Sequence, residues 1–432
     1  MTVALGFSGG ILGFKTESGW GTAVTPDKFV EITDGDITKE IDQLHSEAIN
    51  GIYMDDDEFS QGIIRASGSF EFEMRYEGAE VILYHAMGGV SSAETASFTV
   101  GVSNNKIDFN IGAGALVATV ASSTYVMGAT QATASSLCKA IYDAIVAAEN
   151  TGTYTVSFST TTNMMTITRS AGTFQILWKT GTNTVTCIAA LIGFSTAADS
   201  TSALTYTSST AVVPVYTHTF TMADALPTGI TFELDEDYDA KTLKGGKIDK
   251  LALSLEPGGF MKCKLDVLGK DVTYAAATSA TLSTSAIMLF SQAVVQYNAG
   301  TISVKSFELE LNNNLDKERE YLGSSYIAQP QRSKKIEVTG KLELEFDAET
   351  QYDDFVAGTA REIILTVTGG SIKSGHTYTL TLTMSKCRVN SASRKFNGEG
   401  IITAELGFKA YATSSSTREM TIALKNTVVS VS

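Results

Sequence analysis

Two segments far apart in the chain alternate apolar and acidic residues. They are Gly68-Ser-Phe-Glu-Phe-Glu-Met-Arg-Tyr-Glu and Gly340-Lys-Leu-Glu-Leu-Glu-Phe-Asp-Ala-Glu. Successive side chains of a β-strand point to opposite faces, so each segment is predicted to be a strand with one buried and one solvated face. Each then runs into a short helical stretch, residues 78–87 in the first case and 350–356 in the second.

The surroundings of these two strands also match in order. Each is preceded by another strand and a long polar segment, residues 39–61 or 312–332, and a loop of that length inside a compact domain is usually functional. Downstream, Gly259-Phe-Met-Lys-Cys-Lys-Leu-Asp-Val-Leu-Gly-Lys resembles Gly400-Ile-Ile-Thr-Ala-Glu-Leu-Gly-Phe-Lys-Ala. The order of these elements predicts that one β-domain occurs twice.

Charge is distributed unevenly and separates a third unit from the two copies. Residues 1–90 hold 5 basic and 16 acidic residues, and residues 91–213 hold only 4 and 5. Residues 214–280 hold 7 basic and 10 acidic residues, and residues 281–432 hold 16 basic and 16 acidic residues. Such a shift marks a domain boundary. We therefore predict a discontinuous first domain (1–90 plus 214–280), an insert (91–213) and a second domain (281–432).

The insert has the pattern of a small α+β domain. Apolar Leu137, Ile141 and Ile145 fall on one stripe of a helix predicted over residues 132–149. Short β runs with turn residues between them surround it. These runs cover residues 106–110, 116–120, 154–159, 164–169 and 174–178.

Composition narrows the class of protein. With 43% hydrophobic and 18% charged residues, the chain is too apolar to be disordered, and 37 Gly against 5 Pro fit a β-rich fold. A net charge of −15 excludes a basic nucleic-acid clamp. No apolar run approaches the roughly 18 residues that span a bilayer, and no basic residue precedes the first apolar stretch as in a secretory signal. We expect a protein made and assembled in a cytoplasm, without a membrane.

No pattern of a catalytic or metal site is present in the sequence. The four histidines lack persuasive partners, the four cysteines are scattered, and nucleophile-elbow, phosphate-loop and zinc-protease motifs are missing. Asp55-Asp56-Asp57-Glu58 lacks the spacing and central glycine of a calcium loop. The pairs Glu71/Glu73 and Glu343/Glu345 fit solvated strand faces better than glycosidase acids. We expect no enzyme, cofactor or metal.

Against this background, the residues resemble a known family. Residues 35–89 are similar to the start of tail tube proteins of long, non-contractile bacteriophage tails, with a strand, a long loop, Gly-Ser-Phe-Glu-Phe-Glu and a helix ending in Met87-Gly-Gly. The second copy resembles them more closely, through Val304-Lys-Ser-Phe-Glu-Leu-Glu-Leu-Asn-Asn-Asn and Val338-Thr-Gly-Lys-Leu-Glu-Leu-Glu-Phe. The insert resembles add-on domains of virion proteins.

The resemblance implies two tandem β-sandwich domains, each with a short helix and a long loop. Six such domains would form a ring around a lumen, and stacked rings a tube. Three doubled chains would supply six domains, although a ring of six chains remains open. The partners implied are further copies, the tape measure, tail tip and terminator proteins, and DNA that passes through without specific binding.

Two sets of residues are candidates for these roles. An acidic lining would let DNA slide, so we expect some of Glu71, Glu73, Glu343 and Glu345 to face the lumen. The two long loops have opposite charge tendencies and are expected to meet between rings. Their candidate contacts are Asp55, Asp56, Asp57, Glu58, Lys317, Arg319 and Arg332.

Two other functions fit the same sequence. One is another virion structural or decoration protein, which would assemble on a capsid lattice. The other is a β-domain adhesin, which would bind a receptor or glycan without polymerising.

Overall fold

The computed structural model describes residues 10–45, 59–346, 349–395, 401–414 and 418–431, and it confirms a mainly β fold. Before the insert lie β1 (Ile11–Thr16), β2 (Lys28–His45), β3 (Phe59–Glu73), α1 (Glu80–Met87) and β4 (Gly88–Thr95). The insert holds β5 (Phe98–Val100), β6 (Lys106–Asn110), β7 (Ala115–Thr119), β8 (Ser123–Tyr125), α2 (Leu137–Glu149), β9 (Tyr154–Ser159), β10 (Met164–Arg169), β11 (Gln175–Ile176) and β12 (Thr205–Thr207), with 3-10 turns at Thr184–Thr186 and Ala189–Ile192.

The remaining elements follow the insert. They are β13 (Val215–Met222), β14 (Ile230–Asp235), β15 (Ala240–Leu255), β16 (Lys262–Gly269), β17 (Asp271–Ala275), a 3-10 turn (Phe290–Gln292), β18 (Ala293–Tyr297), β19 (Gly300–Ile302), β20 (Val304–Asn312), β21 (Glu337–Glu345), α3 (Thr350–Ala357), β22 (Ala360–Lys373), β23 (His376–Lys395), β24 (Thr403–Ala410) and β25 (Thr421–Asn426).

Apolar side chains collect in two separate cores. One contains residues from Phe98 to Tyr206 and belongs wholly to the insert, whose strands form three small sheets beside α2. The other is continuous through the rest of the chain. The insert leaves this larger unit on a two-stranded stem, in which β4 and β13 pair antiparallel from Gly88–Met222 to Thr95–Val215.

Eight strands of the larger unit form one antiparallel layer, which we call the inner sheet. Its order is β2-β3-β16-β15-β20-β21-β24-β23. The first parts of β15 and β23 also pair outside this layer, β15 with β14 and β17, and β23 with β22 and β25. The core lies on one side of the inner sheet, where α1 packs against β15 and α3 against β23.

The inner sheet consists of two equivalent halves, β2-β3-β16-β15 and β20-β21-β24-β23. Glu71 opposite Asp34 in the first half corresponds to Glu343 opposite Ser306 in the second. Lys262 opposite Glu73 likewise corresponds to Thr403 opposite Glu345. The register also shifts at matching places, between Ile248 and Lys250 in β15 and between Val389 and Ser391 in β23.

Two matching glycines show why the alternating segments begin as they do. A Cβ on Gly68 would lie 2.8 Å from the ring of Phe70, and one on Gly340 would lie 2.3 Å from the ring of Phe408. Each glycine therefore makes room for an aromatic ring on the core side of the sheet.

Three predicted segments differ from the structure by more than two residues. Much of the first polar segment is strand, because β2 continues to His45 and β3 starts at Phe59. Helix α2 starts at Leu137 instead of residue 132, since the Ser136 hydroxyl accepts the Lys139 N–H and caps it. Only Gln175–Ile176 of the predicted strand 174–178 is extended.

Candidate functional site

The four glutamates expected to line a conduit share one face of the inner sheet. From Gly62 to Glu73 of β3, buried residues alternate with half-exposed ones, and Glu71 and Glu73 belong to the half-exposed set. Glu343 and Glu345 occupy the corresponding positions on β21, while Leu342 and Leu344 point into the core. We call the side of the inner sheet opposite the core its solvated face.

The solvated face carries lysines as well as acids. Lys262 Nζ lies 2.8 Å from Glu71 Oε1, and this hydrogen bond lowers the pKa of Glu71. Similar pairs join Lys409 to Glu337 at 2.8 Å and Lys305 to Glu345 at 3.4 Å. The face is therefore a mixture of ion pairs and acids.

The two halves differ in how far the acids are balanced. Glu71 lies opposite Lys264 of β16, whereas Glu343 lies opposite Glu405 at the equivalent place in β24. Two carboxylates directly across a ladder repel each other. At this position the second half therefore carries two acids, where the first half has an acid opposite a lysine. Sequence reasoning missed the lysines of β16, although the alternation in Lys262-Cys-Lys264 already places both on the solvated side.

The solvated face is concave where the two halves meet. A concavity of about 500 Å³ there is lined by Ala252, Glu310, Thr339 and Lys341, among others.

The junction between the halves is a continuous β-ladder with an apolar interior. Strand β15 pairs with β20 from Lys250–Asn312 to Leu255–Phe307. The side chains that meet on its core side are all buried. They are Leu251, Leu253 and Leu255 from β15 and Leu311, Leu309 and Phe307 from β20.

The two ends of the inner sheet are free edges in the described part of the chain. Residues 34–44 of β2 form a ladder with β3 alone among the described strands, and residues 389–395 of β23 form one with β24 alone. Because the halves are equivalent, β2 corresponds to β20 and β23 corresponds to β15. The free edge of β2 therefore matches the edge of β20 that pairs at the internal junction, and the free edge of β23 matches that of β15. The inner sheet thus ends in two complementary edges that have no partner strand among the described residues.

The basic residues expected in the second long loop contact their own chain. Arg332 is half-buried, and its guanidinium donates to Asn313 Oδ1 at 2.6 Å and to the Asp224 carbonyl at 2.9 Å. Burial lowers the pKa of Arg332. Arg319 donates to the Tyr321 hydroxyl at 3.3 Å, and Lys317 Nζ lies 3.8 Å from Asp249 Oδ2.

The two long polar segments lie side by side. Ile64 N–H of β3 donates to the Ser325 carbonyl at 2.7 Å, and Arg65 bridges Asp42 of β2 and Glu320. Beyond these contacts Tyr321 is 59% and Leu322 106% exposed, so the tip of the second loop is apolar and open to solvent. Asp55, Asp56, Asp57 and Glu58 lie outside the described residues.

The described residues contain no group of three or more His, Cys, Asp or Glu that could hold a metal ion. No described helix is long and apolar enough to cross a membrane. All four cysteines are free thiols, and three of them are buried.

The inner sheet has an acidic solvated face, complementary free edges and long loops at its side. These features are typical of proteins whose copies assemble through their sheets. A family model described as phage tail tube protein matches residues 8–410. The chain belongs to the phage tail tube protein family and is a structural protein of the virion tail. A search of curated proteins finds no match.

Proposed function

We propose that copies of this chain join edge to edge into a ring, with the end of β23 of one chain beside β2 of the next. The observation that carries this proposal is the internal junction, because the chain already joins two equivalent halves by pairing β15 with β20. The same edges, repeated at the ends of the sheet, have no partner strand in the described part of the chain. Each added chain satisfies the edges of its neighbours, and a closed ring leaves none exposed.

The internal junction predicts the register of the junction between chains. Ala252 lies opposite Glu310, and the equivalent residues are Ser393 and Thr38. Ser393 of one chain is therefore expected opposite Thr38 of the next. Three chains with two halves each make a ring of pseudo-sixfold symmetry, whereas six chains would make a wider one.

The solvated face would line the lumen of this ring and form a passage for DNA. DNA carries one negative charge per roughly 1.7 Å of its axis, so a basic wall would hold it. Glu71, Glu73, Glu343 and Glu345 lie on this face, and lysines such as Lys262 are held in pairs with acids. DNA would meet a wall without strong binding sites and pass through unbound.

Rings would stack through the long segments beside the inner sheet. The exposed tip with Tyr321 and Leu322 and the exposed Leu44 near the end of β2 offer apolar contact area. Arg332, Arg319 and Lys317 support this region by contacts within the chain, and the acidic residues 55–58 complete the proposed contact. The tape measure, tail tip and terminator proteins would be the partners of the tube during assembly in the host cytoplasm.

The insert would form a separate domain on the outside of the tube. Among the described residues its core shares no buried residue with the larger core, and the chain enters and leaves it through the paired strands β4 and β13. The remaining chain divides, in this proposal, into the domains 1–90 plus 214–280 and 281–432.

Electron microscopy of the purified chain and of tails from infected cells tests the proposal. Stacked hollow rings whose class averages contain three chains are expected. Monomers that also fail to enter growing tails in an infected-cell extract would overturn it.

A further inference from the structure

The two free edges differ from the internal junction at the positions that point into the core. Leu253 of β15 is 1% exposed and packs at the internal junction, and its equivalent in β23 is Arg394. Leu311 of β20 is fully buried, and its equivalent in β2 is Lys39. Each of these two leucines of the internal junction is thus replaced by one cation on a free edge.

Arg394 is held on the core side of the sheet by two aromatic rings. Its guanidinium carbon lies 4.0 Å from the ring centre of Phe346 and 4.3 Å from that of Tyr352 on α3. Across the ladder its neighbour is the buried Ala404. The cation therefore occupies the apolar side of the strand and covers it, while remaining open to solvent at the edge.

Lys39 on the other edge is also held in place, in its case by a carboxylate. Its ammonium lies 2.7 Å from Asp271 Oδ1, and that carboxylate also pairs with Lys244 at 3.0 Å. The hydrogen bond to Asp271 raises the pKa of Lys39, so the side chain stays charged.

Inward-pointing charges are one way in which proteins prevent edge strands from pairing with other chains, because an approaching strand must dehydrate the charge. We propose that Arg394 and Lys39 guard the two free edges against pairing with a second copy of this chain. They keep the ladder between chains weaker than the internal ladder, so that free subunits polymerise only at high concentration unless a growing tube engages them. This inference rests on the proposed function, since it concerns the edges that would close the ring.

Substitution of each cation by the residue of the internal junction tests the guard. The full-length variants Arg394→Leu and Lys39→Leu are compared with the wild type by sedimentation velocity over a concentration series. Burial of one leucine at each junction is expected to lower the concentration of half-maximal assembly by at least about tenfold. The matched control is Arg388→Leu, which exposes a leucine on the same strand where β22 already pairs with it.

A further variant, Arg394→Lys, keeps the inward charge and should assemble like the wild type. Circular dichroism establishes that each variant folds, and Lys39→Leu tests the second edge independently if Arg394→Leu does not fold. An unchanged assembly concentration in the folded leucine variants, or an equal shift in Arg388→Leu, would overturn the guard. If instead the wild type never forms rings or enters tails, the proposed function itself fails.

Discussion

Leu253 lies directly opposite Leu309 where β15 pairs with β20, and both side chains are almost completely buried. The two halves of the chain thus share one core and should unfold together. Leu309→Ala removes the apolar contact and leaves a cavity, so it should lower the free energy of unfolding by about 2–5 kcal/mol in urea titrations. Glu310→Ala, on the solvated face next to it, should change that free energy by no more than about 0.5 kcal/mol. Equal effects of the two variants would show that the junction is not part of the core.

His85 should make stability depend on pH. It is buried in α1 with Nε2 3.0 Å from Thr16 Oγ1, and burial lowers its pKa from 6.5 to about 3. The unfolded chain binds a proton here below about pH 6.5, and the folded chain does so only near pH 3, so this residue reduces stability as pH falls through that window.

Replacement of His85 by glutamine should therefore flatten the pH dependence. The free energy of unfolding of His85→Gln, measured by urea titration between about pH 7 and pH 4, should fall less than that of the wild type. His45→Gln, at an exposed position on β2, serves as the control. An unchanged slope in His85→Gln would contradict the assignment.

The insert should be removable. Thr95 and Val215 are paired across the stem, so a two-residue Asn-Gly turn can replace residues 96–214 and close a hairpin. The shortened chain loses the contact of Lys373 with Phe98 and the hydrogen bond from Gly128 N–H to Glu94, but it keeps the whole larger core. It should fold and form rings, as seen by circular dichroism and electron microscopy. A shortened chain that folds but never assembles would place the insert in the ring contact.

Reversal of charge on the solvated face should affect DNA passage and leave assembly intact. Phage carrying Glu343→Lys and Glu345→Lys should form normal tails, because both side chains are at least partly exposed, but should eject DNA more slowly. Asp353→Lys on α3, on the opposite side of the sheet, is the control. Ejection at the wild-type rate in a fluorescence assay of DNA release would show that this face does not line the passage.

Local pattern was enough to predict several elements, and long-range pairing was not. The bounds of β9 and β10 coincide with the predicted runs, since strict alternation between turn residues leaves little freedom. By contrast, Trp178 leaves the predicted strand to pack on Phe194, with ring centres 5.1 Å apart. The conformation at Trp178 depends on contacts with residues distant in sequence, and the alternation of apolar and polar residues carries no information on such contacts.

The same limit applies to the candidate site. Alternation predicted that Glu71 and Glu343 each lie on the solvated face of their own strand, and the structure places both on one face of the inner sheet. The contacts of Arg332 with Asn313 and Asp224 depend on how distant segments fold together, so its role within the chain was not visible in the sequence. The equivalence of Arg394 with Leu253 likewise appears only once the strand registers are known.

Oxidative cross-linking of Thr38→Cys with Ser393→Cys in assembled tubes tests the ring most directly. Residues directly opposite each other on antiparallel strands bring their Cβ atoms to about 4.5–5.5 Å, close enough for a disulfide after a small adjustment. The double variant should yield linked chains whose largest closed product contains three, while each single variant and the wild type, with its native thiols, remain unlinked. Assembled tubes that form no cross-link, or products that extend beyond three chains, would contradict the trimeric edge-to-edge ring.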